Sequence, residues 1–145
     1  RQVHVVVDYA HTPAALEHAL ISLRDHTTQR IWCVFGCGGE RDTGKRPAMG
    51  AIADQFADNI VLTNDNTRTE DPVQILEQIE VGIQQHQAVR IPDRREAIGF
   101  AIRQASSGDL VLIAGKGHET TQVVGSECIP FSDRTVVANL LEEIC

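Results

Sequence analysis

Lysine is scarce in this sequence. Only Lys45 and Lys116 are lysines among 13 basic residues, and 20 acidic residues give the chain a net charge of −7. Nucleic acids and anionic membranes attract proteins through clustered positive charge, which an acidic chain does not offer. We therefore expect no nucleic acid and no membrane among its partners.

Signals for membrane targeting are missing as well. The sequence has no apolar run near the ~20 residues that a membrane span requires, no signal peptide and no lipidation motif. Its four cysteines include the C-x3-C pair of Cys33 and Cys37, but not the paired CxxC motifs of a structural zinc site. We expect a cytoplasmic protein with reduced cysteines and no metal ligands.

The length and composition indicate one globular domain. A chain of 145 residues with 42% apolar and 23% charged residues has the size and composition of a single folded core. It contains no repeat, low-complexity tract or internal linker. Because it starts at Arg1 rather than Met and enters an apolar run almost at once, we expect residues 1–145 to be one domain of a longer protein.

Short β-branched runs alternate with amphipathic stretches, which predicts βα units around a mostly parallel sheet with helices on both faces. The predicted strands are Val3–Val7, Ile31–Phe35, Ile60–Thr63, Ala88–Ile91 and Leu110–Ala114. The predicted helices are Pro13–Arg24, Pro47–Phe56, Pro72–Gln85, Arg94–Ala105 and Asp133–Ile144. Segments Gln122–Val124 and Glu127–Pro130 flank a Gly-Ser turn and predict a hairpin. The fold class is therefore α/β, with about six strands including one antiparallel edge.

The loops at the carboxyl ends of parallel strands form the ligand sites of such sheets. Four of these loops are rich in glycine and charge: Asp8–Pro13, Gly36–Arg46, Asn64–Arg68 and Gly115–Glu119. We expect them to form the functional site. The loop after the fourth predicted strand, Pro92–Arg94, is shorter and is typical of a helix cap.

The glycine-rich second loop resembles a P-loop without completing one. Gly39 and Gly44-Lys45 have the P-loop spacing, but Arg46 stands where a Ser or Thr would hold magnesium. Its glycines allow backbone N–H groups to approach an anion, and Arg41, Lys45 and Arg46 add positive charge. A solvated basic loop without a ligand is the alternative.

The third loop offers Asp65, Asn66 and Arg68, which together can hold a zwitterion through a carboxylate, an amide and a guanidinium. The same residues also suit a capping turn ahead of Pro72. Both interpretations remain open from the local sequence.

The two other loops carry histidines. His118 and Glu119 are adjacent, and this spacing does not suit two ligands of one metal. Asp8 and His11 precede a predicted helix, with no evident Ser or Cys nucleophile and matching base. Neither loop predicts a catalytic residue or a metal site by itself.

Taken together, the four loops resemble the C-terminal domain of the Mur ligases. The matching motifs are D-Y-A-H-T-P, G-C-G-G-E-R-D-T-G-K-R-P-x-M-G, T-N-D-N-x-R and A-G-K-G-H-E, in this order along essentially the whole chain. The resemblance is strongest to the members that add meso-diaminopimelate during peptidoglycan biosynthesis.

This resemblance implies a Rossmann-like, amino-acid-binding C-terminal domain of a three-domain enzyme. Such ligases use ATP and Mg²⁺, bound mainly by the central domain, to activate the D-glutamyl carboxylate of UDP-N-acetylmuramoyl-L-alanyl-D-glutamate. The amino group of the incoming amino acid then attacks the acyl phosphate. The full-length protein would be a peptide-bond-forming ligase, and this domain alone would be inactive.

The resemblance also implies the site residues. It places meso-diaminopimelate at Arg41, Asp65, Asn66, Thr67, Arg68, Gly115 and Glu119. It places the nucleotide near Asp8, His11, Lys45 and Arg46, with no catalytic residue or metal ligand in this domain.

One position departs from the family pattern, because Thr67 replaces the proline of D-N-P-R. Arg68 is retained, and its cation suits the carboxylate that distinguishes diaminopimelate from lysine. A lysine-adding Mur ligase, a folylpolyglutamate-synthase-like domain and a stand-alone amino-acid-binding module remain as alternatives.

Overall fold

The computed structural model describes residues 2–144 and contains one parallel sheet flanked by helices. The strands are β1 (His4–Asp8), β2 (Ile31–Phe35), β3 (Asn59–Leu62), β4 (Ala88–Arg90) and β5 (Leu110–Ala114). The helices are α1 (Pro13–Arg24), α2 (Lys45–Phe56), α3 (Pro72–Glu80), α4 (Arg94–Gln104) and α5 (Asp133–Ile144). The strand order is β1-β5-β2-β3-β4, with every neighbouring pair parallel. The predicted α/β class is confirmed.

The sheet separates two apolar layers. Every side chain of β2 is buried, as expected for a strand covered on both faces. Cys33 and Phe35 pack with α1, α2 and α3 on one face, whereas Trp32 and Val34 pack with α4 and α5 on the other. This alternation follows from the two-residue period of a strand and confirms the expected helices on both faces.

The predicted antiparallel edge is wrong. Strands β6 (Thr121–Val124) and β7 (Glu127–Pro130) pair antiparallel in a separate two-stranded sheet, so the main sheet has five strands rather than six. The physical reason lies in β5, which already bonds to β1 on one side and to β2 on the other. No hydrogen-bonding edge of β5 is free for the strands that follow it.

Helix α3 ends at Glu80, short of the predicted end at Gln85. The buried carboxylate of Asp54 accepts hydrogen bonds from the backbone N–H groups of Gln84, Gln85 and His86 at 2.9–3.2 Å. The His86 ring lies 2.9 Å from the same carboxylate. Asp54 thereby accepts from backbone N–H groups that would otherwise bond within a longer helix, and the chain after Glu80 forms a turn instead.

The segment Pro92–Arg94 does more than cap a helix. Asp93 caps α4, as predicted, by accepting from the N–H of Glu96 at 3.0 Å. Arg94 is fully buried, and two of its nitrogens donate to the two carboxylate oxygens of Asp133 at 2.8 Å each. Local sequence patterns do not reveal this pair, because its partners lie 39 residues apart.

Arg94 connects this pair to the carboxyl ends of two strands. Its Nη1 donates to the carbonyl of Asn64 at 3.1 Å and its Nη2 to that of Ala114 at 3.2 Å. Burial opposes the charge of the guanidinium, but Asp133 outweighs it and raises the pKa of Arg94. The pair thus fixes the starts of α4 and α5 relative to the loops that follow β3 and β5.

Asp133→Ala should lower the free energy of unfolding by about 3–5 kcal/mol, because it leaves the buried Arg94 charge without its partner. Urea unfolding would measure the loss. Glu143→Ala is the matched control, since Glu143 joins the same two helices through an exposed contact with Arg95 at 3.3 Å. The control should lose less than about 1 kcal/mol. Equal losses in both variants would contradict a special role for the buried pair.

Asp54→Asn should remove a pH-dependent part of the stability. Burial alone raises the pKa of Asp54, but hydrogen bonds from Gln85, Gln84 and His86 outweigh it and lower the pKa from 3.8 to about 2. The resulting stabilisation, about 2 kcal/mol, is present above the unfolded pKa of 3.8 and is lost as the pH falls towards 2. Unfolding free energies measured across this range should converge for wild type and variant; a constant difference would refute the assignment.

Candidate functional site

A cavity of about 330 Å³ opens at the carboxyl ends of the parallel strands. Its lining residues are Tyr9, His11, Gly38, Arg41, Lys45, Asp65, Asn66, Arg68, Gly115 and Glu119. They come from the loops after β1, β2, β3 and β5, which converge because these strands are neighbours in the sheet. The chain passes from β2 through β3 to β4 at one edge of the sheet and then returns to β5, which lies between β1 and β2. The cavity lies at this switch point, where the direction of strand order reverses.

Most residues that the sequence predicts for the site line this cavity. The diaminopimelate and nucleotide positions that do so are Arg41, Asp65, Asn66, Arg68, Gly115, Glu119, His11 and Lys45. Three predicted residues lie outside it. Thr67 is buried at 2% exposure, and Asp8 lines a neighbouring groove of about 510 Å³ between β1 and α1. The third is Arg46.

The guanidinium of Arg46 is turned into the domain. It donates to both carboxylate oxygens of Glu70, to the Gln78 side chain and to the carbonyl of Gly38, at 2.5–3.0 Å. Arg46, together with the N–H of Glu40, lowers the pKa of Glu70 to about 2. In this structure Arg46 therefore braces the second loop against Glu70 and helix α3, although the resemblance places it near the nucleotide.

Gly39 allows the second loop to contact the third. Its N–H donates to the carbonyl of Asn66 at 2.7 Å, and a Cβ at Gly39 would lie only 1.9 Å from the carbonyl oxygen of Thr67. No side chain fits in that space. The sequence predicts a glycine for close approach to an anion, whereas the structure shows close approach to another loop.

Arg68 has an unusual backbone conformation, with φ of +52°. Strand β6 and the hairpin turn hold it there: the N–H of Arg68 donates to the carbonyl of Val123 at 3.1 Å, and its carbonyl accepts from Gly125 at 2.6 Å. The hairpin, expected at a sheet edge, instead shapes the third loop. Sequence reasoning missed this role because backbone hydrogen bonds leave no side-chain signature.

The side chain of Arg68 is only partly engaged. Its Nη1 donates to the carbonyls of Gly39 and Asn66 at 3.0 and 3.3 Å. Within residues 2–144, no hydrogen bond uses its Nε or Nη2. That edge of the guanidinium has the geometry to accept a carboxylate through two parallel hydrogen bonds.

Acidic groups also line the cavity. Gly115 has φ of +121°, and a Cβ there would lie 2.6 Å from Asp65 Oδ2, so a glycine is needed beside this carboxylate. Asp65 is itself held by the N–H of Asn66 at 2.7 Å. Together with the half-buried Glu119, these groups give the cavity acceptors for an ammonium group. The arrangement can bind a ligand with both positive and negative charges.

Sequence reasoning gave no role to Lys116, whose side chain is completely buried beside the cavity. Its Nζ lies 3.0 Å from Asn66 Oδ1, 3.5 Å from Glu119 Oε1 and 3.9 Å from Asp65 Oδ1. A lysine between two glycines, directly after a buried strand, is the sequence signal that could have found it.

The first loop forms the rim of the cavity. The Tyr9 and His11 rings lie 4.6 Å apart in an edge-on arrangement, and Tyr9 is half exposed. Lys45 Nζ donates to the carbonyl of His11 at 2.9 Å and so ties the second loop to this rim. Polar groups on the rim remain accessible to a ligand that approaches from outside the domain.

Among the described residues, no cysteine lines the cavity and no three-ligand metal cluster is present. Residues 2–144 contain no group of three His, Cys, Asp or Glu side chains placed to hold a metal ion. Burial raises the pKa of the Cys33 and Cys37 thiols to about 12, so neither is a thiolate at neutral pH. Cys128 is an exposed free thiol, and Cys145 lies outside the described residues.

In the part of the chain that the structure describes, no helix combines the length and apolar character needed to cross a membrane.

Comparisons with known proteins identify the family of this chain. Residues 1–117 match the family model described as Mur ligase, glutamate ligase domain. A UDP-N-acetylmuramoyl-L-alanyl-D-glutamate--2,6-diaminopimelate ligase of Coxiella burnetii is 56% identical over 134 residues, which cover 92% of this chain and 27% of the relative. The ligase of the same name from Haemophilus influenzae (strain PittGG) is 53% identical over 139 residues, covering 95% and 28%.

Solved structures extend the comparison. A structure of a ligase with that name superimposes with a TM-score of 0.95 at 46% identity, and the match covers 99% of this chain and 30% of the other. A folylpolyglutamate synthase/dihydrofolate synthase from Yersinia pestis gives 0.63 at 16% identity, which shows a shared fold alone. The chain spans 27–28% of the length of the two curated relatives. On the family match and these identities, the chain belongs to the Mur ligase family and corresponds to its glutamate ligase domain.

Proposed function

We propose that this chain is the amino-acid-binding domain of an ATP-dependent ligase that adds meso-diaminopimelate to UDP-N-acetylmuramoyl-L-alanyl-D-glutamate in peptidoglycan biosynthesis. The observation that carries the proposal is the free Nε/Nη2 edge of Arg68 in a cavity that also contains the carboxylates of Asp65 and Glu119. Relatives that are 53–56% identical and bear this ligase name support it.

The charges of the cavity match those of the proposed substrate. Diaminopimelate carries a carboxylate and an ammonium group at each end. We assign the distal carboxylate to Arg68 and to the exposed Arg41, whose one hydrogen bond within residues 2–144 runs from Nη1 to the neighbouring Glu40 carbonyl. The distal ammonium is assigned to Glu119 and the carbonyl of Gly115. Asn66, Asp65 and Thr67 complete the set proposed from the resemblance, with Thr67 acting through the backbone of its loop.

The assignment of Arg68 favours diaminopimelate over lysine. Lysine lacks the second carboxylate and would leave the guanidinium edge of Arg68 unpaired in a half-buried position. A charge-assisted hydrogen bond contributes about 1.5–3 kcal/mol, which is enough to separate two substrates that differ by one carboxylate.

The nucleotide and its magnesium would be held mainly by another domain of the same enzyme. The P-loop-like segment does not fit a Mg²⁺-nucleotide, since Arg46 replaces the metal-binding hydroxyl and is buried against Glu70. A folylpolyglutamate synthase/dihydrofolate synthase with the same fold is complexed with AMPPNP and Mn. In this chain, we assign His11, Lys45 and Asp8 to the side that faces ATP, with Arg46 bracing their loop.

The chain would contribute positioning rather than bond chemistry. Holding the amino acid at a rigid cavity brings its amine towards the acyl phosphate formed on the D-glutamyl carboxylate, and proximity of this kind lowers the barrier for attack. Because both ATP and the nucleotide-linked precursor are cytoplasmic metabolites, we place the enzyme in the cytoplasm.

Arg68→Ala in the full-length enzyme should raise the KM for meso-diaminopimelate at least about tenfold, because the distal carboxylate loses its charged partner. The KM for ATP should hardly change. ADP release at varied substrate concentrations would measure both. Arg24→Ala is the control: Arg24 pairs with Asp58 at the amino end of β2, away from the cavity. An unchanged diaminopimelate KM, or an equal loss for ATP, would reject the site assignment.

Residues 1–145 produced alone should release no ADP in the presence of ATP, Mg²⁺, the precursor and meso-diaminopimelate. The physical reason is that a Mg²⁺-nucleotide site cannot be assembled from residues 36–46. The full-length enzyme, assayed in parallel, is the positive control. Precursor-dependent ADP release by the fragment would show that this domain holds the nucleotide itself.

A further inference from the structure

The buried Lys116 has no role in the function proposed above. Its ammonium group contacts Asn66 Oδ1 at 3.0 Å, and its side chain has no exposed surface. We propose that Lys116 is a positioning residue that fixes the orientation of the Asn66 carboxamide, so that the NH₂ group of Asn66 faces the substrate carboxylate. The identity of that substrate rests on the proposed function, whereas the orientation of the amide does not.

The chemistry around Asn66 determines which end of the amide points inward. Two groups contact its Oδ1: Lys116 Nζ at 3.0 Å and the backbone N–H of Val123 at 2.9 Å. Both can only donate hydrogen bonds. A flipped amide would place its NH₂ group against two donors and lose both hydrogen bonds. The carbonyl oxygen of the side chain therefore faces Lys116 and the hairpin.

The opposite end of the amide is left for a ligand. Within residues 2–144, Asn66 Nδ2 has no hydrogen-bond partner, and it is not among the buried unpaired atoms. Asn66 lines the cavity together with Arg68. Its two N–H bonds can therefore add to the guanidinium in binding an acceptor, and a carboxylate suits this site better than an ammonium group.

Lys116 has a stronger influence on this amide than Val123 alone. A hydrogen bond from a charged donor is stronger than one between neutral groups. Asp65 and Glu119, at 3.9 and 3.5 Å from Nζ, compensate the buried charge. Without the ammonium group, one backbone N–H would remain to hold the amide, and its NH₂ end would be free to turn towards Asp65 and Glu119.

A double-mutant cycle in the full-length enzyme tests the proposal. Lys116→Met keeps a linear side chain of similar length and removes the charge. We expect it to raise the meso-diaminopimelate KM about tenfold with little change in kcat or in the KM for ATP. In an Asn66→Ala background, the same change should have almost no further effect on KM, because the residue through which it acts is gone.

Controls separate this role from general support of the fold. Arg24→Met removes a charge at the amino end of β2 and should leave the diaminopimelate KM unchanged. Thermal unfolding shows whether Lys116→Met folds. If it does not, Lys116→Gln, which removes the charge and retains a donor on a shorter side chain, takes its place in the cycle. It should raise the diaminopimelate KM by less than about tenfold, and only when Asn66 is present. An equal rise in KM with and without Asn66 would overturn the proposal.

A spectroscopic measurement tests the influence of Lys116 on the Asn66 amide without any substrate. In the full-length protein labelled with ¹⁵N-asparagine, the side-chain NH₂ signal of Asn66 is identified by its loss in Asn66→Ala. We expect this signal to shift in Lys116→Met and to stay in place in Arg24→Met. An unmoved signal would overturn the role of Lys116. Absence of diaminopimelate-dependent ADP release by the wild-type enzyme would instead overturn the proposed function, and the signal would still test the contact between Lys116 and Asn66.

Discussion

Strand β5 is bonded on both sides, to β1 and to β2, although it follows both of them by many residues. The position of β5 between these two strands determines much of the remaining structure. It brings the loop after β5 between the loops after β1 and β2, so that segments distant in the chain share one cavity. It also leaves no edge of β5 for the hairpin, which docks on the third loop instead and holds Arg68.

Charged side chains inside the domain keep the cavity in shape. The pair Arg94–Asp133 connects the starts of α4 and α5, and Arg46–Glu70 connects the second loop to the segment before α3. Lys116 connects the loop after β5 to the third loop. Buried charges are costly unless they are fully paired, so such contacts specify one arrangement of the loops. A preformed cavity loses less conformational freedom when it binds a ligand.

Sequence patterns predict the local features of this fold well. Buried strands are continuous apolar runs, as in Ile31–Phe35, and helix α1 was bounded correctly by its proline and its apolar period. The position of the site also followed from the rule that ligands bind at the carboxyl ends of parallel strands. Local patterns contain this information because neighbouring residues determine periodicity and capping.

Contacts between distant residues could not be predicted in the same way. Arg94 and Asp133 each look like ordinary polar residues at a helix start, and their pairing depends on how α4 and α5 pack. Arg46 lies in a basic loop and looked available to a phosphate, but its partner Glu70 lies 24 residues away. The motif resemblance identified most of the residues that line the cavity but not Tyr9 or Gly38, and only the three-dimensional structure distinguishes lining residues from bracing ones.

The left-handed backbone of Arg68 is held by backbone atoms of Val123 and Gly125, which lie beyond residue 117, where the match to the family model ends. Backbone hydrogen bonds depend on the path of the hairpin and not on its side chains. A change in the length of the hairpin or in its turn would therefore redirect the guanidinium while every residue of the cavity wall stayed the same. Under the function proposed above, insertions and deletions in the hairpin would therefore alter the choice of substrate without any substitution in the cavity wall.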